Sequence, residues 1–347
     1  VIDFRYHLVS IVAVFLALAI GIVLGSTELQ GTTLDALRGL NSSLTHQLNA
    51  VEAQRNSYEQ QAGASDAFLK TAESRLLGGT LSGDRVVIVT EPGAASSVVA
   101  GVKTAAALAG AAITGTVALQ PKFNDLSGAT QASLSAINAQ LATSDTTTLT
   151  PAANSQTGNQ QDAAQLIASA ILNQSADQVG LTAGQAQLVL QAYTQGGYLN
   201  ESGAPWNRAT LAVIVASDAA PADGANDPAN QVLLAVAQEF ATLSAATLVA
   251  GSVAGTTPAG SAISVLRGSS VAAQVSSVDN ADTTLGQIST IWAFATQLAG
   301  GKPKSYGVLG ASAVSPEVPL PVPSGTPSDT STPTQSATGE AKTVGKK

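Results

Sequence analysis

The sequence predicts an α/β fold carried on a membrane anchor: an N-terminal transmembrane helix, a long coiled-coil stalk, and a doubly wound, mostly parallel sheet domain. Three observations lead there. Leu8–Gly25 is an uncharged apolar run, leucines then recur at heptad spacing, and short apolar strands alternate with amphipathic helices from Arg85 onward. Strands separated by helices of roughly 12–16 residues are the pattern of a parallel sheet covered on both faces.

The anchor comes first. Residues 1–7 form a short end, and residues 8–25, LVSIVAVFLALAIGIVLG, hold a single polar side chain, Ser10. As a helix this run rises about 27 Å, close to the roughly 30 Å hydrocarbon core of a bilayer. The competing reading is a signal peptide cleaved before Ser26. The run exceeds the usual h-region of about 7–15 residues, and Asp3 offsets Arg5, which favours an uncleaved anchor. Arg5 precedes the span and Glu28 follows it. The positive-inside tendency then makes residues 1–7 cytoplasmic. The expected location is the plasma membrane, single pass, with the bulk of the chain extracytoplasmic. Residues 8–25 would contact the lipid bilayer, and Ala13, Ala17, Gly21 and Gly25 form a stripe where two helices can approach closely.

The stalk spans 28–78. One register puts Leu34, Asn41 and Leu48 at a positions and Leu37, Leu44 and Val51 at d positions. Asn at an a position favours a register-fixed dimer. A parallel dimer is therefore expected, with Ala13, Ala17, Gly21, Gly25, Leu34, Leu37, Leu44 and Leu48 at the pairing face. The alternative is an amphipathic helix folded back on its own domain.

The α/β domain is expected over 84–310. Strands are read at Arg85–Val89, 115–120, 209–218 and 245–251, with a fifth inside AAQVSSVDN and a short one at Tyr306–Leu309. Helices are read at 95–110, Pro228–Leu243 and Leu285–Leu298. Residues 121–208 are rich in Gln, Asn, Ser, Thr and Ala and read as a helical insert over one sheet edge, with helices near 130–143, 160–174 and 182–195. The tail, 311–347, is rich in Pro, Ser, Thr and Gly and is expected to be disordered.

The composition excludes several functions. Lys and Arg number 15 against 23 Asp and Glu, a net charge of −8, so nucleic acid is not an expected partner. With no Cys there are no disulfides, thiolate nucleophiles or Cys-bound metals. With no Met there is no thioether ligand, and the only histidines are His7 and His46. No phosphate loop, dinucleotide fingerprint or nucleophile elbow is present. The chain is expected not to be an enzyme, with no catalytic, cofactor-binding or metal-binding residues assigned. Near the strand ends, Asp218, Asp223, Asp279 and Asp282 form a candidate partner or ligand cluster, beside Glu91 and Asp227. The competing reading makes them turn and cap residues, with Asp227 before Pro228 a helix cap.

The opening RYHLVSIVAVFLALAIGIVLGS resembles the start of the mycobacterial copper transport protein B family of actinobacterial membrane proteins. The matching positions are Arg5, His7, Ser10, the run Ala13–Ala19, Gly21 and Gly25. VDNAD at 278–282 and the following Gly286-Gln287 fit as well, and the resemblance extends over 1–310. It implies copper export and an outer-membrane channel, and, as a second role, cell separation through partners that control peptidoglycan hydrolases. The residues alone give copper little to hold, because Cu(I) favours thiolate and thioether. The leading expectation is a membrane-anchored envelope scaffold or regulator. It would pair with itself, bind another envelope or cell-division protein, and act in septal peptidoglycan hydrolysis and cell separation. The alternatives are a copper export or channel component, and a carboxylate-based envelope enzyme.

Overall fold

The computed structural model describes residues 4–142, 157–175 and 180–317, apart from the side chains of 26–34. The described chain forms two compact units, Val1–Leu76 with Thr283–Leu285, and Leu77–Asp282 with Gly286–Lys347.

The first unit is dominated by α1, Phe4–Leu77, one uninterrupted helix of 74 residues. At 1.5 Å per residue it is about 110 Å long. The anchor and the stalk are thus parts of one continuous helix. Its first part, Phe4–Gly25, is long and apolar enough to cross a membrane and is wholly exposed in the single chain. Farther along, the d-position side chains of Leu37, Leu44, Val51 and Tyr58 are 57–63% exposed. No partner helix is present, so a coiled coil is not part of what the structure shows. Polar pairs fasten the surface locally, with Arg55 3.1 Å from Glu59 and Arg38 3.1 Å from Asp35. The helix stops at a turn through Gly79, whose φ of +78° suits glycine.

The second unit is a seven-stranded sheet. Its strands are β1 (Arg85–Thr90), β2 (Ala112–Leu119), β3 (Leu199–Gly203), β4 (Leu211–Val215), β5 (Ala246–Ala250), β6 (Ser276–Val278) and β7 (Ser305–Tyr306). The order is β3-β2-β1-β4-β5-β6-β7. All neighbouring pairs are parallel except β2 and β3, which are antiparallel. The sheet is therefore mixed, and the shown topology is that of a mixed sheet. β3 was absent from the sequence reading, which placed it inside the helical insert. Its sequence LNESG has one apolar residue and no β-branched residue, so strand propensity gives no signal. Pairing with β2, from Gly115↔Gly203 to Leu119↔Leu199, makes it a strand.

The helices of this unit are α2 (Ser96–Leu108), α3 (Gly128–Ala142), α4 (Gly158–Ile171), α5 (Ala183–Gln195), α6 (Pro228–Leu243), α7 (Val253–Thr256), α8 (Ala262–Gly268) and α9 (Thr284–Leu298). The short α7 and α8 were also unforeseen. β1, β4 and β5 are buried at almost every position, because both sheet faces are covered. Val87, Val89, Ala212 and Ile214 join one apolar cluster with Leu166 and Ile167 of α4 and Val236 and Phe240 of α6. The alternate positions Val86, Ile88, Leu211 and Val213 are equally buried. The polar insert enters this core through its own hydrogen bonds. Tyr193 donates to Asn138 Oδ1 at 2.7 Å, Asn138 donates to the Asn159 carbonyl, and Tyr198 donates to the Thr130 carbonyl. Thr182 and Gln185 close a capping box on α5. Ser312 and Ala313, counted with the tail in the sequence reading, bond to Ser305 of β7. The insert loop 143–156 and the tail 318–347 lie outside the described residues.

Candidate functional site

Strand order reverses between β1 and β4, and the loops that leave these strands diverge toward α2 and α6. In open α/β sheets such a divergence at the carboxyl ends of strands is where ligands bind. The residues that follow the strands meet there. Gly93, with φ +84°, brings the β1–α2 loop against the β4–α6 loop, and a Cβ on it would lie 2.8 Å from Ser217 Oγ. The Asp218 N–H donates to the Gly93 carbonyl, and Ala94 bridges Ser217.

Glu91 sits in this junction, 5% exposed. Its Oε2 accepts from the Ser217 N–H at 3.0 Å. Burial pushes its carboxyl up to about 7; the Ser217 bond opposes the rise and the charge of Asp227 adds to it. Asp227 accepts from Ala229 N–H at 2.9 Å and from Ala222 N–H at 2.7 Å, and Pro228 opens α6, the cap expected from the sequence.

The four aspartates expected to cluster are distributed among distinct roles. Asp218 Oδ1 accepts from Ser252 Oγ at 2.7 Å, and Ser252 in turn caps α7 by accepting from Gly255 N–H. Gly255 is required there, since a Cβ would stand 2.8 Å from the Asp218 Cα. Asp282 accepts from Val253 N–H at 3.2 Å, so Asp218 and Asp282 both hold the β5–α7 turn. Asp223 begins a 3-10 turn and makes no side-chain cap bond. Asp279 is fully buried and forms an ion pair with Arg267 at 2.9 Å. Its two oxygens also accept from Val308 and Leu309 N–H, while Arg267 reaches Ser277 and the Tyr306 and Leu309 carbonyls. This clasp ties β6 to the turn after β7. Sequence reasoning missed Arg267, because its partners lie 10 to 42 residues away and no local pattern joins them. Among the described residues, no group of three or more His, Asp or Glu side chains is placed to hold a metal ion.

On α1 the stripe Ala13, Ala17, Gly21 and Gly25 lies along one face, and a Cβ on Gly21 or Gly25 would meet open space. Leu37, Leu44 and Leu48 are exposed. The side chain of Leu34 lies outside the described residues.

Together these features define a helix-anchored membrane protein with a mixed α/β domain. The model of the family described as copper transport outer membrane protein, MctB, matches residues 1–316, and the chain belongs to that family. It is 32% identical over 314 residues to the copper transporter MctB of Mycobacterium tuberculosis, covering 88% of this chain and 96% of that protein. The Mycobacterium bovis protein of the same name gives the same figures. The Mycobacterium leprae copper transporter MctB is 31% identical over 327 residues, 92% of this chain and 99% of that protein. The chain is thus a membrane-anchored MctB-family protein of the cell envelope. The family description corrects one expectation from the sequence: it places these proteins at the outer membrane, not the plasma membrane. Length and apolarity show that a helix can cross a bilayer, and a single flanking arginine does not identify which bilayer.

Proposed function

We propose that this chain serves copper transport in the cell envelope as an anchored component that works with protein partners. Family membership across residues 1–316 carries this reading, with near full-length relatives that are named copper transporters. Copper would be cargo handled by an assembly. The chain has neither Cys nor Met. His7 and His46 lie on one continuous helix, 46 − 7 = 39 residues apart, so about 58 Å separates them. They cannot ligate one ion within a single chain. The described strands, at most 8 residues, are also shorter than the roughly 9–11 residues of a membrane barrel strand. The test is expression of the full chain in a mycobacterium lacking its own relative. Cell-associated copper after a copper challenge should fall severalfold toward the wild-type level. Unchanged copper content with the chain present in the envelope would overturn the reading.

A second reading is an envelope scaffold or regulator that controls septal peptidoglycan hydrolysis and cell separation through partner recognition, without turnover of a substrate. The exposed leucines of α1 favour it, since a second copy paired in parallel through Leu37, Leu44 and Leu48 would cover them. A doubly wound layout of the domain is supported by the strand order and by central strands buried on both faces.

A further inference from the structure

The sheet domain carries a cavity at its β6–β7 edge that neither reading uses. Its volume is about 230 Å³, its polar lining is Arg267, Ser277, Lys304, Ser305 and Ser312, and the rest of the lining is apolar. The strand register places it. Ser277 and Ser305 are partners in the parallel β6–β7 ladder, so their side chains stand on one face of the sheet. Arg267 of α8 donates its Nε–H to Ser277 Oγ at 3.0 Å, so that face is the one α8 covers. Ser312, bonded to Ser305 through its N–H and its hydroxyl, holds the outer wall.

The lining is rich in donors and holds no carboxylate among the described residues. A guanidinium has five N–H donors. Those of Arg267 go to Ser277 Oγ, Asp279 Oδ2 and the Leu309 and Tyr306 carbonyls, which uses four and leaves one. These bonds fix the side chain, which is 13% exposed. Ser277 is 2% exposed. Its Oγ accepts from Arg267, and its own O–H has no acceptor among the described residues. A buried donor left without an acceptor costs free energy, and an acceptor on a ligand would offset that cost. Lys304 is exposed at the rim and forms no ion pair among the described residues. Asp279 already balances the charge of Arg267, so Lys304 gives the cavity its net positive charge. A charged acceptor makes the stronger hydrogen bond with such donors. The donors come from α8, from β6 and from the segment before β7. Donors on three separate elements match the oxygens of a tetrahedral anion better than the two coplanar oxygens of a carboxylate.

We propose that this cavity binds a phosphate group. The remaining N–H of Arg267 and the Ser277 hydroxyl take its inner oxygens, and the Lys304 ammonium takes an outer one. The Asp279 clasp keeps the guanidinium in place before the ligand arrives. The inference is independent of copper transport and of pairing through α1.

Titration calorimetry of the full chain in detergent micelles at fixed ionic strength tests it, with inorganic phosphate and glycerol 3-phosphate as the probes. At least one should bind saturably at one site per chain. Binding of inorganic phosphate marks the free anion as the ligand. Binding of glycerol 3-phosphate alone marks a phosphate carried on an organic group, and either result supports the site. Lys304→Ala should weaken the bound probe roughly 5-fold, and Ser277→Ala should weaken it at least as much. Lys302→Ala removes an exposed lysine that does not line the cavity, and it should leave the affinity unchanged. Absence of saturable binding of both probes to the unaltered chain would overturn the proposal. So would equal losses in Lys302→Ala and Lys304→Ala, because diffuse charge attraction would then account for the binding. If Ser277→Ala does not fold, the two lysine variants decide, and an unchanged affinity in Lys304→Ala sinks the site.

Discussion

The same residue types meet opposite fates in the two units. In α1, Leu37, Leu44, Leu48 and Val51 are 57–63% exposed, whereas Val86, Val87, Ile88 and Val89 of β1 are 0% exposed. The sheet domain satisfies its apolar residues within one chain, and α1 does not. A contiguous exposed apolar face marks a surface that needs lipid or a partner. The domain should therefore fold and respond to mutation by itself, and α1 should respond to whatever covers it.

The largest effect is expected at the Arg267–Asp279 clasp. Arg267→Ala leaves the Asp279 carboxylate buried without its cation. Losing one member of a buried pair typically costs about 3–5 kcal/mol. Urea denaturation followed by Trp206 and Trp292 fluorescence should show that loss, while the far-ultraviolet helical signal of α1 persists. A loss below about 1 kcal/mol would mean that the clasp is dispensable and that the domain is held by its apolar core alone.

Next in size is a pH effect at Glu91. Its folded value, raised by burial to about 7, lies above the ordinary 4.5. The folded state therefore holds a proton that the unfolded chain has released. Stability from this group is full below about 4.5 and is lost as pH rises through about 7. A shift of this size corresponds to about 3 kcal/mol. Glu91→Gln should remove that slope, so the stability difference between variant and parent should move in the variant's favour between pH 5 and pH 8. A difference independent of pH would show that Glu91 is solvated.

These two sites also show how far the sequence was legible. The membrane-length run was plain in Leu8–Gly25, because apolarity over that length has few other meanings. β1, β4 and β5 were legible as continuous apolar runs bounded by turns, within a few residues at their ends. Asp227 before Pro228 announced its helix cap. β3 was not legible, because LNESG becomes a strand only by pairing with β2. Nor was the clasp, whose members are brought together by the fold and by no local spacing. The aspartates looked alike in the sequence, since all four stand near turns. Their differences arise from burial: Asp279 is enclosed with a cation, while Asp218 and Asp282 hold the turn that begins α7. Glu91 was visible as a carboxylate after a buried strand, but not its shift, which depends on the loops that close over it.

The smallest expected effect on the domain comes from the stalk. Leu48→Asp changes an exposed side chain of α1, so the unfolding free energy of the domain should change by no more than the roughly 0.5 kcal/mol typical of surface changes. The same variant should weaken self-association of the full chain, because it places an unpaired charge in the proposed seam. Equal self-association of variant and parent would separate the leucines from pairing and leave lipid or another protein to cover them.

The contrast between a self-sufficient domain and an incomplete helix is tested most directly by disulfide crosslinking of single cysteines placed at Leu37 and, separately, at Leu44 in the full chain within membranes. The native sequence contributes no thiol, so every disulfide reports the introduced residue. The account predicts efficient symmetric dimers at both positions, since consecutive d positions of a parallel pair face each other across the axis. No dimer at either position, with the chain intact and inserted, would contradict it.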